Sequence, residues 1–255
     1  MPVNKEKYFS IVEELKEYNA VLVAVSKTKP VSDILELYKL GQTDFGENYV
    51  QELVEKQQQL PTDIRWHFIG HLQRNKIKLI APFVHLIHGV DSLKLLMEIN
   101  KEAKKCSRII DVLLQVHIAK EESKFGFDEK ELAQIFESLQ SQDSPILSNT
   151  KIVGLMGMAS FTTDNQIIQN EFHQLKLLFH KHAQLQTPNL STEALAKADS
   201  STHLSVEASA KTEALGKADT KLQTLSTGMS ADYKIALQEG SNMVRIGSLL
   251  FGARQ

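Results

Sequence analysis

The sequence predicts a single α/β domain, a (β/α)8 barrel of the TIM type with one extra helix at its N-terminus. Three observations predict it. The chain has 255 residues, close to the roughly 250 that a barrel of this kind uses. Short, β-branched apolar runs alternate with amphipathic helical stretches, which is the pattern of parallel βαβ units. The alternation occurs eight times along the chain. An open doubly wound sheet is the alternative, since a shift of a few residues in the boundaries hides or creates a strand.

The elements follow in order. A charged, amphipathic stretch from Val3 to Tyr18 reads as the extra helix. Val21 to Val25 is a fully apolar run of the sort that a parallel sheet buries on both faces. Pro30 then opens a helix striped by Ile34, Leu35, Leu37 and Tyr38, which Gly41 ends. Thr43 to Glu47 is followed by a helix from Asn48, Trp66 to Gly70 by one from Arg74, and His85 to Val90 by one over Ser92 to Lys105. Ile109 to Ile118 pairs with Glu129 to Leu139, and Ile152 to Met158 with Asn165 to Ala183. Leu222 to Thr227 pairs with Ala231 to Glu239, and Met243 to Ile246 precedes a short closing helix.

Composition narrows the function classes. With 42% hydrophobic and 24% charged residues the chain can bury a sizeable core, which excludes wholesale disorder. Its formal charge of −2 gives no global attraction to nucleic acid or anionic membrane, so neither is an expected partner and any anion must be bound locally. No apolar run approaches the roughly 20 residues that span a bilayer, and the first residues are not signal-like, so the expected location is cytoplasmic. Cys106 is the only cysteine; it can form no internal disulfide and no cysteine metal cluster, and reads as a packed side chain.

One stretch breaks the rhythm. Residues 186–221 are rich in Ala, Ser, Thr and Lys, and the run from Thr192 to Asp199 recurs, with one change, from Thr212 to Asp219. Loops this long are uncommon inside a compact domain, and the copies carry too few large apolar residues to bury much. The reading is one domain over 1–255 with a duplicated, partly helical or disordered insert at about 186–221. It enters strand seven from the amino-terminal side, away from the barrel mouth.

Chemistry in such barrels sits at the carboxyl ends of the strands. Strand one runs straight into Ser26, Lys27 and Thr28, which brings a lysine to the mouth. Partial desolvation there favours the neutral amine that condenses with an aldehyde, although a lysine that extends its head into water fits the position equally well. After strands seven and eight come Gly228-Met229-Ser230 and Gly247-Ser248, each before a helix. Two such turns build a phosphate cradle from free amides and hydroxyls; a plain helix N-cap and turn glycines are the alternative. Arg245, two residues before Gly247, faces the barrel interior if strand alternation holds. There it either donates to a ring nitrogen or pairs with a carboxylate in the wall.

Taken together, Val23 to Pro30, Phe45 to Glu52, Trp66 to Lys76, Gly154 to Met158, Gly228 to Ser230 and Val244 to Gly247 resemble, in order, the motifs of the pyridoxal phosphate homeostasis proteins. That family resembles the barrel domain of alanine racemase, a fold-type III pyridoxal phosphate barrel, without its second, all-β domain. The resemblance implies pyridoxal 5′-phosphate (PLP) held covalently on Lys27 as a Schiff base, its phosphate on Gly228, Ser230, Gly247 and Ser248, and Arg245 at the pyridine nitrogen. An arginine there leaves that nitrogen unprotonated and weakens the electron sink that carbanion chemistry needs. Ser248 stands where the family more often has threonine; either hydroxyl can donate. The insert at 186–221 is a departure from the family.

Other residues carry weaker signals. Asn48 and Gln51 fit an Asn-x-x-Gln capping box, and the family motif adds a place for Asn48 beside the cofactor. Lys124 matches a family lysine associated with cofactor exchange. Lys29 is a possible decoy nucleophile, expected in contact with solvent. His67 and His71 straddle a strand and a loop, so helix-face metal spacing fails and no metal is expected. His67 is expected beside Trp66 or near the cofactor. Met156 and Met158 read as core. Only a few residues follow Phe251, too few for the racemase's second domain. The expectation is therefore a monomeric PLP carrier serving vitamin B6 homeostasis without significant amino-acid turnover and with no catalytic residues, its possible partners being PLP-requiring apo-enzymes. Two alternatives remain: a PLP-dependent racemase or lyase using Lys27 and a base such as His67, and a cofactor-free enzyme of sugar phosphates.

Overall fold

The structure is a computed structural model that describes residues 3–119, 125–140, 147–185 and 222–252. Lys124, the 186–221 insert and its duplicated run lie outside the described residues. Eight parallel strands close into a barrel in sequential order, β1 to β8, with β1 hydrogen-bonded back to β8. The strands are β1 (Val21–Val25), β2 (Asp44–Glu47), β3 (Arg65–Phe68), β4 (Leu86–Val90), β5 (Ile110–Gln115), β6 (Thr150–Met156), β7 (Thr224–Ser226) and β8 (Met243–Ile246). The closed barrel removes the open-sheet alternative.

The extra helix α1 (Lys5–Glu17) is capped by Asn4, whose side chain accepts from the Lys7 amide at 3.0 Å. It buries Tyr8, Ile11 and Leu15. Around the barrel run α2 (Val31–Lys39), α3 (Val50–Gln57), α4 (Ile77–Ile80), α5 (Leu93–Lys105), α6 (Glu129–Gln140), α7 (Asn165–Leu185), α8 (Tyr233–Gln238) and α9 (Ser248–Phe251). Strand alternation divides the apolar residues into two cores. One lies between sheet and helices and includes Phe45, Trp66, Ile87 and Val112. The other fills the barrel with Val23, Leu86, Leu113, Met156 and Met243, and Met158 packs against it beyond the strand end.

Several boundaries differ from the sequence reading. The helix after β2 starts at Val50 with Tyr49 as its N-cap and no side-chain cap bond, so the Asn48-x-x-Gln51 capping box does not form: Asn48 is still in the turn leaving β2. The helix after β7 starts at Tyr233, not Ala231, with Asp232 at its cap position. Ser230 is therefore in the preceding turn and caps no helix. Asp232 makes no side-chain cap bond either; its carboxylate accepts from the Met229 amide in the turn at 2.6 Å.

The seam between β7 and β8 has a single register pair, Ser226 with Met243. Side chains supplement it. Asn242 accepts from the Leu225 amide at 2.8 Å and donates to the Gln223 carbonyl at 2.7 Å. The buried Ser241 hydroxyl accepts from the Thr227 amide at 3.2 Å. These bonds supply what a longer ladder supplies elsewhere in the sheet, and they hold the turn at Gly228 in place.

Candidate functional site

Lys27 leaves β1 at the carboxyl mouth. The register pairs Ala24 of β1 with Ile246 of β8, so the chain exits through Lys27 and through Gly247 lie side by side. A Cβ on Gly247 would stand 3.1 Å from the Val25 carbonyl oxygen; glycine here lets the two exits approach. Lys27 is half-buried. The next residue, Thr28, has φ +63°, a left-handed conformation that costs a β-branched residue energy and that its surroundings must hold.

Those surroundings come from the neighbouring βα unit. Lys56, on α3, donates to the Ser26 carbonyl, to Glu47 Oε1 and to Glu52 Oε1, each at 2.7 Å. The Thr28 amide donates to Glu52 Oε1 at 2.6 Å, and the Ser26 hydroxyl to Glu47 Oε1 at 2.6 Å. Glu47 is fully buried, and that burial pushes its carboxyl up against the pull of Lys56. A clamp of three charged side chains thus fixes the backbone on both sides of Lys27. The sequence reading missed it. Glu52 and Lys56 are visible as an i, i+4 pair, but nothing local marks Glu47 as their partner.

Lys29 does not simply face solvent. Its ammonium donates to the Phe251 carbonyl at 2.8 Å, tying the β1 loop to the end of α9. That role differs from the decoy nucleophile considered above.

The two turns of the expected phosphate cradle meet. The Gly247 amide donates to the Ser230 hydroxyl oxygen at 3.2 Å. Ser248 opens α9 and is exposed. Gly228 has φ +88°, and a Cβ there would come within 2.6 Å of Ala236 Cβ, so only glycine lets the β7 turn press onto α8. The structure brings together Lys27, Gly228, Ser230, Arg245, Gly247 and Ser248 from β1, β7 and β8. Asn48 stands at the exit of β2, where its carbonyl lies so near Gly70 that a Cβ there would be 2.4 Å away. This is a backbone contact between the β2 and β3 exits.

Arg245 points into the barrel and is 4% exposed. Nη1 donates to the Ser226 carbonyl at 2.9 Å and the Ser226 hydroxyl at 2.7 Å, and Nη2 to the Gly157 carbonyl at 3.1 Å. No carboxylate pairs with it among the described residues, so the wall ion pair weighed above is not what holds it. Burial lowers its pKa to about 10, which still leaves it charged at neutral pH. Three of its five N–H groups are used by these bonds.

Beneath the mouth the barrel interior is unexpectedly polar. His67, expected beside Trp66 or the cofactor, turns inward, away from Trp66, and its Nε2 lies 2.9 Å from Asp44 Oδ1. Its Nδ1 lies 2.9 Å from Nε2 of His88. Asp44 opens β2 and Arg65 opens β3, so this end of the cluster is at the amino-terminal mouth. Burial alone would raise the Asp44 carboxyl, but hydrogen bonds from His67 and Arg65 hold it well below the usual carboxylate range. His85 brings a third ligand-type atom within 4.8 Å of those of Asp44 and His67. Arg65, however, already donates to both oxygens of Asp44, and the cluster reads as an ion pair.

The model of the alanine racemase N-terminal domain matches residues 6–255. The pyridoxal phosphate homeostasis protein of Pasteurella multocida is 36% identical over 236 residues, 91% of this chain and 86% of that protein. The human protein of the same name is 37% identical over 244 residues, 91% of this chain and 76% of that one. The chain belongs to the pyridoxal phosphate homeostasis protein family. Among solved structures, PipY of Synechococcus elongatus without PLP superposes with a TM-score of 0.77 at 29% identity, covering 97% of this chain and 99% of PipY. The form with PLP bound gives 0.74 at 30% identity with the same coverage. Alanine racemase of Bartonella henselae, at 13% identity and a TM-score of 0.62, shares the barrel fold; this chain covers 60% of it. As a member of the family the chain shares its barrel.

Proposed function

We propose that this chain binds pyridoxal 5′-phosphate reversibly at the carboxyl mouth and serves vitamin B6 homeostasis, with the aldehyde carbon joined to Lys27. Lys27 would hold the cofactor covalently, its amine joined to the aldehyde carbon with loss of one water. The observation that carries this reading is the clamped exit of β1. A strained Thr28, held by Glu52, and a Ser26 carbonyl, held by Lys56, set the backbone of one lysine beside the Gly247 turn.

The residues fit the group. Ser230, Gly228, Gly247 and Ser248 would receive the phosphate from two adjoining turns, and the Gly247 amide now spent on Ser230 would turn to it. Arg245, charged and buried among carbonyls, has N–H groups left to donate to the pyridine nitrogen. When bound, the cofactor supplies a reactive aldehyde and an electron sink. A donor that keeps its own proton leaves the ring nitrogen unprotonated and weakens that sink. The alternative base, His67, is bonded to Asp44 and His88 inside the barrel and is not at the mouth. Lys124 as an exchange site, delivery to PLP-requiring apo-enzymes, a cytoplasmic location and a monomeric state belong to the same proposal. Among the described residues no helix is long and apolar enough to cross a membrane.

The test is borohydride reduction of the PLP-treated protein followed by peptide mapping. One tag on Lys27, absent from Lys27→Ala, is expected. A tag elsewhere, or none, overturns the reading. Quench-flow with alanine, serine and lysine should give no turnover near the ~1 s⁻¹ ordinary for enzymes; such turnover would favour the racemase or lyase.

A further inference from the structure

The barrel interior holds two buried histidines that the proposed function does not use. His88 is fully buried and His67 is 1% exposed. With Ser226 they form a line between the two mouths: Asp44 Oδ1 to His67 Nε2 at 2.9 Å, His67 Nδ1 to His88 Nε2 at 2.9 Å, His88 Nδ1 to Ser226 Oγ at 3.4 Å, and Ser226 Oγ to Arg245 Nη1 at 2.7 Å.

The chemistry of the ends sets the outermost protons, and the simplest arrangement between them runs one way. Arg245 only donates, so Ser226 Oγ accepts from it and has its own proton to give. Among the described residues, His88 Nδ1 is the acceptor in reach of that proton. At the other end Asp44, ionised and bonded by Arg65, only accepts, so His67 Nε2 carries a proton. Burial, reinforced by His67 and then Arg245 beside it, keeps His88 neutral. If it accepts at Nδ1, it must donate from Nε2 to His67 Nδ1. Every donor then faces one way, from Arg245 to Asp44, with both histidines as Nε2–H tautomers and no lone pair facing another.

We propose that His88 and Ser226 are positioning residues for Arg245, holding its guanidinium so that its remaining N–H groups face the ring nitrogen of the bound cofactor, through a one-way line of donors anchored on Asp44. This rests on the reading of Arg245 given above. Neither histidine touches the cofactor in it. Without the Ser226 hydroxyl, Nη1 keeps only the Ser226 carbonyl, and the guanidinium can rotate off the nitrogen. Without the His88 acceptor, the Ser226 proton is free to turn toward Arg245 and repel it.

The test has two arms. In the first, the protein without PLP is labelled with ¹⁵N in its histidine rings, and two-bond ¹H–¹⁵N spectra near neutral pH read the tautomers. Nε2–H on both His67 and His88 is expected, and Nδ1–H on His88 overturns the proposal. In the second, PLP is titrated into Ser226→Ala, Ser226→Thr and His88→Phe. Losing one such hydrogen bond should weaken binding about fivefold in Ser226→Ala and His88→Phe and shift the imine absorption band. Ser226→Thr should keep wild-type values, and the double variant should bind no worse than the weaker single one, because the two residues act in series. Ser226→Ala is small enough to keep the test valid if His88→Phe fails to fold. Wild-type binding and an unshifted band in Ser226→Ala overturn the proposal while leaving Lys27 as the PLP site. A wild-type protein that takes up no PLP overturns the proposed function and this inference together, whatever the tautomers.

Discussion

Lys56 reaches from α3 across to the carbonyl of Ser26, 2.7 Å away, and so holds the residue immediately before Lys27. The same ammonium neutralises Glu47, a carboxylate with no exposure to water. Position and charge compensation therefore depend on one side chain. Lys56→Met should leave Glu47 buried and unpaired and cost about 3 kcal/mol, read as a lowered urea midpoint. Adding Glu47→Gln should recover part of the loss. Recovery of stability without recovery of PLP uptake would separate the structural role of the clamp from its role in placing Lys27.

Asp44 gives a pH prediction. Its carboxyl titrates well below the usual range in the folded chain, despite burial, because His67 and Arg65 donate to it. A carboxylate whose folded value is depressed adds stability that is complete above its unfolded value, about 4, and is lost as the pH falls below it. Unfolding free energy should therefore drop more steeply from pH 5 to pH 3 in the wild type than in Asp44→Asn. Parallel curves would show that the ion pair contributes nothing.

Gly228→Ala should be costly for two reasons. The position has φ +88°, and the new Cβ would sit 2.6 Å from Ala236 Cβ and 2.9 Å from Tyr233 Cα. Left-handed strain and overpacking together should cost about 2 to 4 kcal/mol, seen by denaturant unfolding. The β7 turn should also move off α8, reducing PLP uptake in whatever fraction remains folded.

Lys29→Ala distinguishes the two lysines of the β1 exit. The Lys29 ammonium is bonded to the Phe251 carbonyl, so its loss should cost about 1 kcal/mol and leave the reducible tag on Lys27. Peptide mapping after borohydride checks this; a tag that disappears would make Lys29 part of the covalent site.

What the sequence determined by itself was local or periodic. Apolar runs such as Val21 to Val25 and the helical stripes between them announced eight βα units, and position alone took Lys27, Gly228 and Gly247 to strand ends. Helix starts were less legible. Asn48 and Ser230 are good capping residues, yet the chain leaves β2 and β7 through turns that delay each helix to Val50 and Tyr233. Only the tertiary structure decided which polar residues face one another inside the closed barrel. His88 and Ser226 are 138 positions apart in the chain, and Glu47 meets Lys56 only because β2 and α3 pack together. The physical reason is closure. Strand alternation says that a residue points inward, but inward residues of distant strands, such as His88 on β4 and Ser226 on β7, become neighbours only when β1 pairs with β8.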